Sequence, residues 1–214
     1  MNKGVFVTFE GGEGAGKSTQ ARLLAEYLAA LELPVLITRE PGGTPVSEKI
    51  RDILLDPLHP ELAPRVELLL YLASRSQLVS QVIRPALEEG KVVISDRFHH
   101  STLAYQGGAR ALDMAQVRQL NQFATGGLLP DVTFLLDLPP AAGMQRKGSA
   151  GQTDRLEGEG RQFHENVRQA FLTLAAEEPE RIVVLDARRS VEEISEEIRR
   201  RTLDVLKIKG LTLK

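Results

Sequence analysis

The segment Gly11-Gly12-Glu13-Gly14-Ala15-Gly16-Lys17-Ser18 constrains this chain more than any other stretch. It fits G-x-x-x-x-G-K-[ST], follows the apolar run Gly4 to Glu10, and opens an amphipathic stretch beginning Lys17, Ser18, Thr19, Gln20, Ala21. The motif needs a strand before it and a helix after it. Glycines let successive backbone N–H groups point into one concavity, and the helix N-terminus adds positive potential there. Residues Gly11, Gly12, Glu13, Gly14, Ala15, Gly16, Lys17, Ser18 and Thr19 are therefore expected to cradle a nucleoside triphosphate. Lys17 would reach the β and γ phosphates and the Ser18 hydroxyl would ligate Mg²⁺. A dinucleotide-binding reading fails, because the glycine spacing does not match G-x-G-x-x-G.

The rest of the chain supplies the sheet this loop requires. Five runs rich in Val, Ile, Leu and Phe occur at Gly4 to Glu10, Pro34 to Glu40, Val92 to Phe98, Val132 to Leu138 and Arg181 to Ala187. Near-continuous apolar runs mark strands buried on both faces, and their separations leave room for crossover helices. Helical spacing fills Lys17 to Glu32, Thr44 to Asp56, Pro64 to Glu89, Ala111 to Ala124, Gly160 to Glu178 and Val191 to Lys209. The expected fold is α/β, a P-loop NTPase-type three-layer sandwich: a five-stranded parallel sheet flanked by helices, with a mobile lid. The 214 residues suit one domain, 1–214. The lid is expected at about 143–161, where five Gly and four basic residues leave almost nothing apolar after Met144.

Charge and composition narrow the partners. A formal net charge of -2 argues against a protein that coats nucleic acid through its bulk charge. The absence of Cys excludes thiolate nucleophiles, disulfide scaffolds and Cys-ligated zinc. No apolar stretch approaches the roughly 18 residues of a membrane span, and Met1 to Glu10 reads as a strand rather than a leader, so a cytoplasmic protein is expected. The apolar face of Pro64 to Glu89 suits core packing or a homodimer interface equally, and a homodimer is expected.

None of the four x positions of the phosphate loop is cationic. Phosphoryl transfer spreads negative charge over the equatorial oxygens, so the arginine that neutralises it must come from elsewhere. The lid offers Arg146, Lys147 and Arg155. Three strands end in Asp, at Asp96, Asp137 and Asp186; Asp96 is preferred as the metal-side carboxylate because Arg97 follows it, with helix capping expected for the other two. His99 and His100, adjacent in sequence, are a poor chelate and are expected at the surface or lining a site.

Arg97, Ser101 and Tyr105 recur every fourth residue in DRFHHSTLAYQGG, as do Tyr71 and Arg75 in LLLYLASRSQ. On helices each set shares a face, and such a mixture of ring, guanidinium and hydroxyl suits a nucleobase pocket. A core Tyr71 with Arg75 and Arg97 in structural ion pairs fits the spacing equally well.

The sequence resembles the thymidylate kinases essentially end to end. The likeness is carried by FEGGEGAGKST at 9–19, REPGGT at 39–44, YLASR at 71–75, DRFHHSTLAYQGG at 96–108 and TGGLLPDVTFLLDLP at 125–139. The resemblance implies ATP and dTMP as substrates, Mg²⁺ as cofactor, and in-line transfer giving dTDP. It implies that Glu13 meets the deoxyribose 3'-hydroxyl, that Arg97 holds the acceptor phosphate with Arg39 and Arg51 as further contacts, and that Tyr71 offers its ring to thymine. Arg75 would donate to a thymine carbonyl, Ser101 would lie near the base edge, Tyr105 would crowd the sugar 2' position, and Gln106 would sit close by. Lys17, Arg97, Arg146 and Arg155 would be catalytic, with Ser18 and Asp96 toward the metal. Tyr71 departs from the Phe common at its position. The alternatives are a kinase for another nucleoside monophosphate or a deoxynucleoside, and a P-loop regulatory switch; the latter lacks an [NT]KxD guanine-reading motif.

Overall fold

A computed structural model describes residues 4–147 and 154–211. Strands β1 (Val5–Glu10), β2 (Val35–Arg39), β3 (Val92–Asp96), β4 (Val132–Asp137) and β5 (Ile182–Asp186) form one parallel sheet in the order β2-β3-β1-β4-β5. The register pairs Val7 with Ile94 and with Val132, so β1 lies at the centre. All six of its residues are buried, while the edge strands expose Ile37 and Val184. Helices on both faces leave central strands no polar side, which is why their sequence reads as unbroken apolar runs.

Alternation along β1 divides the core. Val5, Val7 and Phe9 pack with Leu24 and Leu28 of α1 (Lys17–Ala30) and with Ile194, Ile198 and Leu206 of α9 (Val191–Ile208). Phe6 points the other way, into a cluster with Leu78, Ile83, Leu87 and Phe98. The remaining helices are α2 (Pro45–Leu55), α3 (Pro64–Leu78), α4 (Arg84–Glu88), α5 (His99–Thr102), α6 (Met114–Thr125), α7 (Pro140–Lys147) and α8 (Arg161–Glu177). Local chemistry sets several ends. Thr44 accepts from the Ser47 N–H at the start of α2, and Ser190 and Glu193 close a reciprocal cap on α9. The strand order reverses beside β1, and in such sheets ligands bind at the carboxyl ends of the strands at that point.

Three local features differ from expectation. The long helix expected over Pro64 to Glu89 widens into a π-helical turn at Val79–Ile83, just before Pro85, whose missing N–H interrupts the α-helical ladder. The start of the expected lid is the helix α7. Gly143 serves close packing there rather than loop freedom: a Cβ on it would strike the Glu13 carbonyl oxygen, and one on Gly14 would strike Gly143 O. Residues 148–153 of the expected lid lie outside the described residues. His99 and His100 are buried, not surface or lining groups, with ring centroids 3.8 Å apart. Burial, then the neighbouring His100, holds the His99 imidazole well below its ordinary pKa and therefore neutral.

Candidate active site

The turn from β1 into α1 has the conformation its glycines permit. Gly11, Gly14 and Gly16 take φ of 135°, 68° and 94°, values that L side chains adopt at a cost. A Cβ on Gly11 would strike Leu136 O of β4. The first turn of α1 has no side-chain cap and no acidic residue, so its N–H groups and dipole face outward, ready for an anion. Lys17 Nζ donates to Gly12 O at 2.7 Å, bending back over its own loop. Burial first, then the charge of Arg97, lowers the Lys17 pKa to about 8.

A triphosphate lying against Lys17 would restore its cationic form, so binding should take up a proton wherever the empty site has already lost one. The group sits at about 8 free and returns toward its ordinary range when paired, so uptake should be small near pH ~7, rise through pH ~8, and weaken affinity with increasing pH. Isothermal titration of an ATP analogue in two buffers of different ionisation enthalpy reads this directly. Equal apparent enthalpies at about pH 8.5 would refute the linkage.

Across the loop, the end of β3 brings Asp96 to Ser18, whose Oγ donates to the Asp96 carboxylate. The other two strand-end carboxylates are committed elsewhere. Asp137 is bound bidentately by Arg168 of α8, at 2.7 and 2.9 Å, rather than acting as the expected cap. Asp186 accepts from the Arg188 backbone N–H and guanidinium. A hydroxyl beside a carboxylate is a hard-oxygen donor pair that suits Mg²⁺, which is commonly held by one or two such groups plus substrate phosphates. Among the described residues no cluster of three or more His, Asp or Glu could hold a metal alone.

Arg97, next after Asp96, has φ 72° in the left-handed region, a strained conformation for a non-glycine residue. Its N–H donates to Phe9 O at 2.9 Å, its Nη1 to Gly11 O at 3.1 Å, and its Nη2 is paired with Glu13. The guanidinium carbon stands 5.3 Å from the Tyr105 ring centroid. This tilts the side chain across the mouth of a cleft of about 220 Å³. Glu13, Lys17, Ser18, Arg39, Arg51, Tyr71, Arg75, Asp96, Arg97, Ser101, Tyr105 and Gln106 all line that cleft, so residues scattered from the phosphate loop to the π-helical turn Leu103–Ala109 after α5 meet in one place. Burial pushes the phenols of Tyr71 and Tyr105 above their ordinary range.

Several of these groups are tied down. Arg39 Nη1 and Arg51 Nη1 both donate to Pro41 O, at 3.0 and 2.9 Å, bringing two cations to one side of the cleft. Ser101 Oγ donates to Glu10 at 2.6 Å and accepts from Arg97, which makes it a brace for the arginine as well as a wall. Arg75 is 1% exposed, and all three guanidinium nitrogens are occupied. Nε donates to Glu40 (2.7 Å), Nη1 to Thr102 and Asn121 (2.7 and 2.6 Å), and Nη2 to Phe98 O (2.9 Å). The ion-pair reading of Arg75 left open by the spacing is the arrangement found, although its edge still forms part of the cleft wall.

The two lid arginines do not line the cleft. Arg146, exposed on α7, donates from Nη2 to Ala187 O at 2.8 Å. Arg155 is buried, with Nε donating to Leu54 O at 3.0 Å and Nη2 lying 2.6 Å from Glu67 Oε2. In this structure Arg155 is held by Glu67 and Leu54 O rather than facing the cleft. The carboxylates Glu10, Glu40 and Glu67 that organise these arginines carried no sequence expectation. Glu10 and Glu40 stand inside FEGGEG and REPGGT, the one available signal; Glu67 has none.

A glycine loop at a helix N-terminus, opening into a cleft lined by Lys17, Arg39, Arg51 and Arg97, defines the class as a P-loop phosphotransferase. The thymidylate kinase family model matches residues 9–198. A thymidylate kinase of an Exiguobacterium species is 49% identical over 208 residues, covering 97% of this chain and 98% of its own. One from Cutibacterium acnes is 52% identical over 203 residues, covering 95% and 98%. The crystal structure of thymidylate kinase from Ehrlichia chaffeensis superposes with a TM-score of 0.76 at 32% identity, covering 94% of this chain and 98% of that one. This chain belongs to the thymidylate kinase family.

Proposed function

We propose that the chain moves the γ-phosphoryl group of ATP onto the 5'-phosphate of dTMP, giving ADP and dTDP, by direct in-line displacement within a single domain, residues 1–214. The observation that carries this reading is the convergence of Lys17, Arg39, Arg51 and Arg97 on one cleft beside the Ser18–Asp96 pair. Two anionic substrates repel each other, and the acceptor phosphate is already a nucleophile. The work is therefore positioning and charge neutralisation, with no strong general base required. Lys17 would leave Gly12 O for the β and γ phosphates. Arg97, braced by Ser101 and Glu13, would hold the acceptor phosphate with Arg39 and Arg51. Ser18 and Asp96 would hold Mg²⁺, which when bound supplies charge neutralisation at the phosphate oxygens. Arg146 stands on α7, which packs directly on the phosphate loop. With Arg155 committed to Glu67, Arg146 is the arginine the lid at about 143–161 would bring to the triphosphate.

Incubation with ATP, Mg²⁺ and each nucleoside monophosphate in a coupled ADP assay tests the reading. Turnover should be fastest with dTMP; preference for AMP, GMP or CMP would overturn it. In the same assay, Tyr105→Ala should narrow the gap between deoxyribo- and ribonucleotide acceptors by about tenfold, since the buried ring closes the space beside the sugar. An unchanged ratio would remove that role.

No helix among the described residues is long and apolar enough to cross a membrane. Work in the cytoplasm, where ATP and dTMP are available, is part of this proposal, as is a homodimer. Val66 and Leu69 on α3 and Leu120 and Phe123 on α6 are exposed, Phe123 at 87%, on two helices that pack together. Light scattering should give twice the 23.6 kDa chain mass, falling to one chain in Leu69→Asp; a monomeric wild type would reject the dimer.

A further inference from the structure

Glu67 is fully buried on α3, one turn before Tyr71, a residue of the cleft wall. Its Oε1 accepts from Gln106 Nε2 at 2.7 Å and from Arg110 Nε at 3.3 Å. Its Oε2 meets Arg110 Nη2 at 3.2 Å and Arg155 Nη2 at 2.6 Å. Arg110 in turn pairs with Glu159 at 2.6 Å, which balances the second guanidinium. An ionised carboxylate can only accept, so the Gln106 amide must turn its NH₂ toward Glu67. The amide oxygen, on the other side of the same planar group, is left for the cleft that Gln106 lines.

We propose that Glu67 is a positioning residue for acceptor recognition: it locks the Gln106 amide so that the cleft presents a hydrogen-bond acceptor to the base. Through Arg155 it also seats Asp154, Leu156 and Glu157 against the same cleft. The chemistry matches a pyrimidine 2,4-dione, whose ring-edge donor is N3–H flanked by two carbonyls; cytosine has an unprotonated N3 at the same place. A buried acceptor that loses its partner is costly, so a locked amide discriminates where a freely turning one would adapt. The inference rests on the dTMP reading above, and its test separates the two.

Steady-state kinetics with dTMP and dCMP should show that Glu67→Gln raises KM for dTMP far more than it lowers kcat, and narrows the dTMP-to-dCMP ratio of kcat/KM by about tenfold. Gln106→Leu should narrow the ratio similarly, and adding Glu67→Gln to it should leave the ratio unchanged. A folded Glu67→Gln enzyme with the wild-type ratio, or a double variant whose ratio falls further, overturns the lock. If Glu67→Gln does not fold, side-chain amide NMR of the wild type decides. Slow exchange of the Gln106 NH₂, undisturbed by dTMP, supports the lock; exchange at the rate of a solvated amide overturns it. Wild-type preference for another monophosphate would instead sink the dTMP reading and leave the lock to the NMR result.

Discussion

Lys17→Ala is expected to lower kcat by about 10³-fold or more, in the range seen when a cation that meets transferring phosphoryl charge is removed. The fold should survive. Although buried, the ammonium donates only to Gly12 O among the described residues, and burial already disfavours its charge. Taking it away therefore relieves a desolvation cost while emptying the position that the triphosphate needs. Circular dichroism should match the parent while a coupled ADP assay falls to near background. Unfolded protein, or activity within tenfold of wild type, would show that Lys17 has another role.

Arg75→Met is expected to lower unfolding stability by about 3 to 5 kcal/mol, the usual cost of breaking a buried ion pair from one side. The charge left behind is Glu40, whose pKa burial already pushes up against the pull of Arg75. Thr102 Oγ1, Asn121 Oδ1 and Phe98 O would lose their donor at the same time. Urea titration followed by far-UV circular dichroism measures the loss. Adding Glu40→Leu should recover part of it, because the orphaned carboxylate goes too, while the unpaired polar groups around Nη1 remain. A loss below about 1 kcal/mol would mean that the network contributes little.

Much of the donor side was legible because backbone requirements leave direct marks in sequence. Glycines at 11, 14 and 16 are demanded by positive φ or by close packing, and the apolar runs by burial on both faces of the sheet. Of the three strand-end aspartates, Asp96 reaches the cleft together with the Arg97 that follows it, while Asp137 and Asp186 pair with arginines. The acceptor side was half legible. Spacing grouped Tyr71 with Arg75 and Arg97 with Ser101 and Tyr105, but could not tell ligand contact from ion pair.

Around the expected lid, local signals were the most ambiguous. Glycine suggested a loop at 143, yet there it permits a helix to touch the phosphate loop, and the same letter serves both ends. Likewise, basic residues on either side of 148–153 looked equivalent, although Arg155 meets a buried carboxylate 88 positions earlier in the chain, while Arg146, among the described residues, donates to Ala187 O.

By itself, then, the order of residues determined the phosphate loop, the parallel sheet and the family, because each depends on local conformation or on a short motif. Tertiary structure alone decided which charges are free to meet a substrate. Pairing of Glu10, Glu40 and Glu67 with partners far along the chain is settled by packing, and a buried carboxylate neutralises whichever arginine the fold delivers to it.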